Sequence, residues 1–124
     1  MIRELLTVGI GGAVGSMARY LLSYKILTEY MLWGFHTGTF VVNVAGSLLI
    51  GLVLGAASDS MWFTRLVVIG FCGGFTTFST FSVDALRLLR DGEYATAGLY
   101  MGLSVVVCVA CAALGMWIGE ILKN

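Results

Sequence analysis

Five hydroxyl side chains, Thr76, Thr77, Ser79, Thr80 and Ser82, fall within seven positions directly after the pair Gly73-Gly74, with Phe75, Phe78 and Phe81 threaded among them. The residues on either side are apolar, so this is a concentration of ion-binding chemistry in a greasy setting. Hydroxyls donate or accept, and backbone loosened by glycine can offer its own amides and carbonyls. Each glycine costs about 1 kcal/mol of helix propensity relative to alanine, which predicts a helix break at the pair. At membrane depth, broken backbone is tolerated only inside protein or along a polar cavity, where its freed groups become ligands. The competing reading keeps the helix whole, with each hydroxyl bonding the carbonyl four residues back and the phenylalanines facing lipid. For a cluster this dense the polar path is favoured, because unsatisfied groups in lipid are so costly.

Other chemistries lack their residues. No nucleophile–base pair or metal-ligating cluster is visible, so no enzyme is expected. His36 is the single histidine and falls at a span edge, an interfacial residue rather than a haem ligand. Cys108-Val-Ala-Cys111 matches a redox spacing but lies inside an apolar segment with no activating charge; together with Cys72 these read as small packing residues. Seven basic and seven acidic residues cancel, and no basic patch for a nucleic acid remains.

The elements that must hold the cluster follow from composition. Of 124 residues 59% are hydrophobic and only 11% charged, with 17 glycines, no proline and a mean hydropathy of +0.96. A water-soluble domain keeps about a quarter of its residues charged, so this chain exposes its apolar side chains to membrane lipid. Charge-free stretches, extended where Arg19, Lys25 and Arg65 can snorkel, predict an all-α membrane protein of four transmembrane helices at about 4–26, 35–57, 62–89 and 94–121, the third broken mid-membrane. The whole chain, 1–124, reads as one domain. Tyr20, Tyr24, Tyr30, Trp33, Trp62, Tyr94 and Trp117 fall near the span ends, as interfacial aromatics do. The connections around Thr28–Phe35, Asp59–Trp62 and Arg90–Glu93 are short. Arg3 before an apolar run resembles a signal peptide, but Glu4 is out of place and no small-x-small site precedes Arg19; the segment reads as a helix.

Four spans place Arg3, Arg65 and Lys123 on one side and Lys25, Arg87 and Arg90 on the other, with Arg19 at the second side or buried. So small a bias fixes no orientation. Either one topology wins, or the chain inserts both ways and pairs as an antiparallel homodimer, an intermolecular inverted repeat. Gly11-x-x-x-Gly15, Gly51-x-x-x-Gly55, Gly98-x-x-x-Gly102 and Gly115-x-x-x-Gly119 predict close helix packing, within one subunit or between two.

Three segments carry a resemblance. Gly11-Gly-Ala-Val-Gly-Ser-Met-Ala-Arg-Tyr20, Gly38-Thr-Phe-Val-Val-Asn43 with Gly46-Ser47, and Gly73-Gly-Phe-Thr-Thr-Phe-Ser-Thr-Phe-Ser82 are similar to motifs of the small fluoride channels of the Fluc, or CrcB, family over almost the whole chain. The resemblance implies a passive fluoride exporter of the bacterial inner membrane, built as a dual-topology antiparallel homodimer in lipid. It also implies two pores and a central structural sodium ion.

Position by position, Phe78 and Phe81 match the family's pore phenylalanines, whose positive ring edges replace part of an anion's hydration shell without a trapping charge. Asn43 supplies an amide donor, with Thr39 one turn earlier, and Ser79 and Thr80 match the hydroxyl pair near the middle of the pore. Tyr100 and Ser104 match a polar track continued by Cys108, where a thiol, a weaker donor, stands in place of a hydroxyl. Asp84 stands where the family usually has Glu. The carbonyls of Gly73 and Thr76 match the sodium ligands, and Arg19 matches a vestibule arginine, although a helix-anchoring arginine would look the same. The rival class is a small dual-topology multidrug or cation exporter, which needs a mid-span carboxylate to trade protons; Glu4 and Glu120 are terminal.

Overall fold

Long glycine-punctuated apolar runs with no proline leave the backbone little choice in lipid but helix. A computed structural model describes residues 1–26, 31–32, 35–56 and 61–123. Among these, four helices are long and apolar enough to cross a membrane: Ile2–Tyr24, Thr37–Ala56, Trp62–Arg90 and Tyr94–Lys123. The first consists of α1 (Ile2–Tyr20) and a wider π-helical continuation, Leu21–Ile26. The second, α2 (Thr37–Ala56), starts two residues later than the charge pattern implies, because Leu32 and Met31 (β1) pair antiparallel with Phe35 and His36 (β2). Tyr30, Trp33 and Asp59, and the side chains of Lys25 and His36, lie outside the described residues.

The third span is composite. A turn of helix, α3 (Met61–Thr64), runs into a π-helical stretch, Arg65–Cys72, then a single turn, α4 (Gly73–Phe75), and restarts as α5 (Phe78–Arg90) after extended backbone at Thr76 and Thr77. The α5 C-terminus is closed by Gly92 at φ 77°: the Gly92 amide donates to Leu89 and the Glu93 amide to Leu88, a left-handed cap that spares the last carbonyls. The last span, α6 (Tyr94–Lys123), follows at once.

Packing resolves into two helix pairs, α2 with α6 and α1 with the third span. Glycine makes both pairs possible. A Cβ on Gly51 or Gly55 would run into the backbone of Ala112 or Met116, and one on Gly115 or Gly119 into that of Leu48 or Leu52. Gly11 and Gly15 stand in the same relation to Leu66 and Phe71. Three of the four glycine motifs are therefore used inside one chain, in backbone-to-backbone contact worth more in lipid than side-chain burial. Gly98 and Gly102 are different, with nothing within 4 Å of where a Cβ would be. Outward-facing Leu5, Leu6, Ile10, Val14 and Met17 give α1 a lipid face. Near one end of the first and third spans, Arg65 pairs with Glu4 at 3.3 Å.

Candidate functional site

The break is built by three side chains acting on backbone. Thr77 is extended, at φ −149° and ψ 119°, so its amide and carbonyl point to the same side. The Asn43 side chain on α2 meets both: the Thr77 amide donates to Asn43 Oδ1 at 2.8 Å, and Asn43 Nδ2 donates to the Thr77 carbonyl at 3.1 Å. Since a peptide N–H can only donate, the amide orientation of Asn43 is fixed by this pairing. Thr77 then caps α5, its Oγ1 accepting from the Thr80 amide at 3.2 Å. Arg19, half-buried at the end of α1, donates from Nε to the Gly74 carbonyl at 3.1 Å across 55 residues of sequence. It thereby satisfies one carbonyl of the broken turn.

These partners leave a specific residue of unmet need. In an unbroken helix the Thr77 amide would bond the Gly73 carbonyl and the Thr80 amide the Thr76 carbonyl. Both amides are diverted to side chains, so these two carbonyls lose their helical donors. The Cys72 carbonyl, by contrast, accepts from both the amide and the hydroxyl of Thr76. Gly46 on α2 is where the Thr76 methyl seats, and no side chain would fit between them.

Next to the break lies a cavity of about 300 Å³, lined by Asn43, Ser47, Ile50, Thr76, Thr77, Phe78, Phe81, Ser104, Val105 and Cys108. None of these carries a charge. The Phe78 and Phe81 rings, three residues apart on α5, have centroids 5.5 Å apart at 41°. Phe81 leans on Tyr100 at 5.2 Å, whereas Phe78 is 78% exposed on the single chain, an aromatic presented outward at a membrane-embedded break. The Ser104 hydroxyl is buried and, among the described residues, has no hydrogen-bond partner. A buried polar atom without a partner at a cavity wall is one that a polar group entering the cavity would satisfy.

Of the residues singled out from the sequence, the structure gathers Asn43, Phe78, Phe81, Ser104, Thr76 and also Cys108 around the cavity. Gly73 stands at the break itself. Ser79 and Thr80 are not lining residues; their hydroxyls cluster with Thr77 Oγ1 at 3.4 and 3.2 Å. Tyr100 and Thr39 are buried behind the wall in hydrogen-bond reach of each other, and the Tyr100 hydroxyl donates to Asp84 Oδ2 at 3.3 Å, so the shorter carboxylate does reach α6. Thr77 and Ser47 stand in the motifs quoted above without a role of their own, and Ile50 and Val105 are not singled out by the sequence reading. Ser47 and Ile50 follow Asn43 by four and seven residues on α2, the spacing of one helix stripe, and the Thr77-x-x-Thr80 cap is legible once α5 is known to start there.

Comparison with known proteins places the chain. It is 40% identical over 125 residues to a protein of Hydrogenovibrio crunogenus named "Fluoride-specific ion channel FluC", covering 96% of this chain and 92% of the relative. A protein of the same name from Geobacter sulfurreducens is 43% identical over 121 residues, with 93% and 92% covered, and one from a Ruegeria species is 42% identical over 118, with 94% of each. The family described as CrcB-like protein, Camphor Resistance (CrcB), matches residues 6–116, and this multi-pass membrane protein belongs to it.

Proposed function

We propose that the chain conducts fluoride passively out of the cytoplasm through the cavity beside the break, as a transporter and not an enzyme. The observation that carries this reading is the chemistry of the wall. Fixed N–H from Asn43, the rings of Phe78 and Phe81 and the unpartnered Ser104 hydroxyl surround a space with no ionised group. Such a wall can replace water around a small anion while holding no cation that would trap it. Ser79, Thr80, Tyr100 and Thr39 act in support, the first two through the Thr77 hydroxyl, Tyr100 by backing Phe81 and Thr39 through its hydrogen bond with Tyr100. Cys108 lies within reach of Ser47 and continues the wall as a weak donor. Fluoride selectivity comes to this reading from the names of the relatives.

The functional unit is an antiparallel homodimer with two pores. Support comes from the near-even charge, the outward Phe78 and the unused Gly98/Gly102 face. A sodium ion at the centre fits the break: the Gly73 and Thr76 carbonyls lack their helical donors, and carbonyl oxygen suits a hard cation. A two-fold pair of chains supplies each carbonyl twice. Bound there, sodium would stabilise the pair and favour anions nearby. The multidrug-exporter alternative requires a carboxylate at the transport cavity, and Asp84 is engaged with Tyr100 instead.

Purified protein in liposomes should release fluoride down its gradient and leave chloride inside, at a rate indifferent to an imposed proton gradient. Uphill fluoride movement driven by protons, or equal chloride release, would overturn the reading. In cells, a C-terminal reporter should register on both faces of the membrane, and two or three lysines added to one set of loops should drive it to one face. A single orientation in the unmodified chain contradicts the antiparallel pair.

A further inference from the structure

Asn43 has a second task that a pore donor does not need. Its oxygen is occupied by the Thr77 amide and one of its N–H bonds by the Thr77 carbonyl, so only the remaining N–H is left for the cavity. We propose that Asn43 is the positioning residue of the cation site: by pairing with the Thr77 peptide as a neighbouring strand would, it keeps the Gly73 carbonyl free for an alkali cation. Thr77 keeps the Thr76 carbonyl free in the same way through its cap. The inference rests on the sodium reading above and deepens it, because it couples the pore wall and the cation site through one side chain.

The argument is one of competition for donors. Four amides, those of residues 77 to 80, would close the helix, and two of them, Thr77 and Thr80, have a side-chain acceptor drawing them away from the carbonyl four residues back. A peptide amide in lipid cannot be left without an acceptor. Take away Oδ1 of Asn43 and the nearest remedy for the Thr77 amide is the Gly73 carbonyl, which restores the helical bond and blocks that oxygen. The neighbouring carbonyls are already committed: Cys72 to Thr76, Gly74 to Arg19 and Thr77 to Asn43. Gly73 itself is exposed on the single chain, with nothing within 4 Å of a Cβ position, so the break reaches a surface a second copy can approach.

The test reads cation response apart from flux. Thermal unfolding of the detergent-solubilised full chain is measured in sodium chloride and in N-methylglucamine chloride at equal ionic strength, alongside liposome fluoride efflux. For the wild type, sodium should raise the midpoint by about 4 °C or more. Asn43→Leu, similar in size but without the amide, should lose most of that shift together with flux, and Thr77→Val should diminish it through the other carbonyl. Thr7→Val, which removes a hydroxyl bonded only back to Arg3 in α1, should leave the shift intact. An Asn43→Leu protein with lost flux and a full sodium shift would show a pore donor and nothing more, overturning the proposal but not the channel. If that variant does not fold, Asn43→Asp, which keeps an oxygen to accept from the Thr77 amide, takes its place: it should keep most of the sodium shift, and its loss of that shift while still folded overturns the proposal. A wild type with no sodium shift removes the proposal together with the cation reading, while fluoride efflux reports separately on the channel.

Discussion

Replacing Phe78 or Phe81 by isoleucine is expected to abolish most fluoride flux while the protein still assembles. Isoleucine keeps bulk and apolar character but removes the ring quadrupole, so only the electrostatics of the edge are lost. A barrier raised by about 1.4 kcal/mol per ring already slows passage tenfold, and both rings line the same cavity. The two sites are separable. Phe78 is exposed on the single chain, so its substitution should leave the stability of the chain nearly unchanged. Phe81 supports Tyr100, and its loss should also lower the unfolding midpoint. Methionine, being polarizable, should retain part of the flux at either position. Phe40, packed against Ala85 and Tyr100, and Phe63, exposed near the start of the third span, are the controls. Equal flux loss from isoleucine at Phe40 or Phe63 would show that volume, and not the aromatic edge, sets the rate. Dimer content must be measured in the same samples.

The second large effect is on stability. Gly51→Ala and Gly115→Ala each place a methyl inside the opposing backbone of the α2–α6 seam, where no rotamer can relieve it. Each should cost about 1–3 kcal/mol, read as a lowered thermal midpoint, and the pair together should prevent folding. Gly102→Ala, with open space at its Cβ, should leave the single chain no less stable, since alanine gains about 1 kcal/mol of helix propensity. Any loss it causes should fall on dimer content instead, which distinguishes an interface glycine from a seam glycine. Tolerance of alanine at both Gly51 and Gly115 would mean that the helices are not in backbone contact.

Much of this was legible in the chain itself, for reasons that differ by feature. Spans are long and repetitive signals, and lipid removes the alternatives that make soluble helices ambiguous, so the four crossings could be read from charge spacing. The break was legible because Gly73-Gly74 and the hydroxyls after it are a local conflict with helix. The partners that open it were not: Asn43 and Arg19 act from 34 and 55 residues away, and nothing in their own neighbourhoods says which carbonyl or amide they meet. The same holds for Thr39, Ser79 and Thr80. Correct helix spacing put them close to the cavity, but side-chain direction decides which groups line it and which hold the lining in place. The β1–β2 pairing was hidden for the opposite reason, since two-residue strands leave no periodicity.

With no proline in the chain, the third span contains nothing that forbids an intact helix; every bond that interrupts it is made by a neighbour or by its own threonine cap. An intact helix is therefore the nearest local alternative to the break. The segment 62–90 can leave the translocon as one continuous rod, its hydroxyls turned back on their own carbonyls, at no penalty for exposed peptide groups. Arg19 of α1 and Asn43 of α2 make the bonds that hold it open. The interruption thus belongs to the assembled helices rather than to the segment alone, and a third span without its neighbours has no bond of theirs to hold it open.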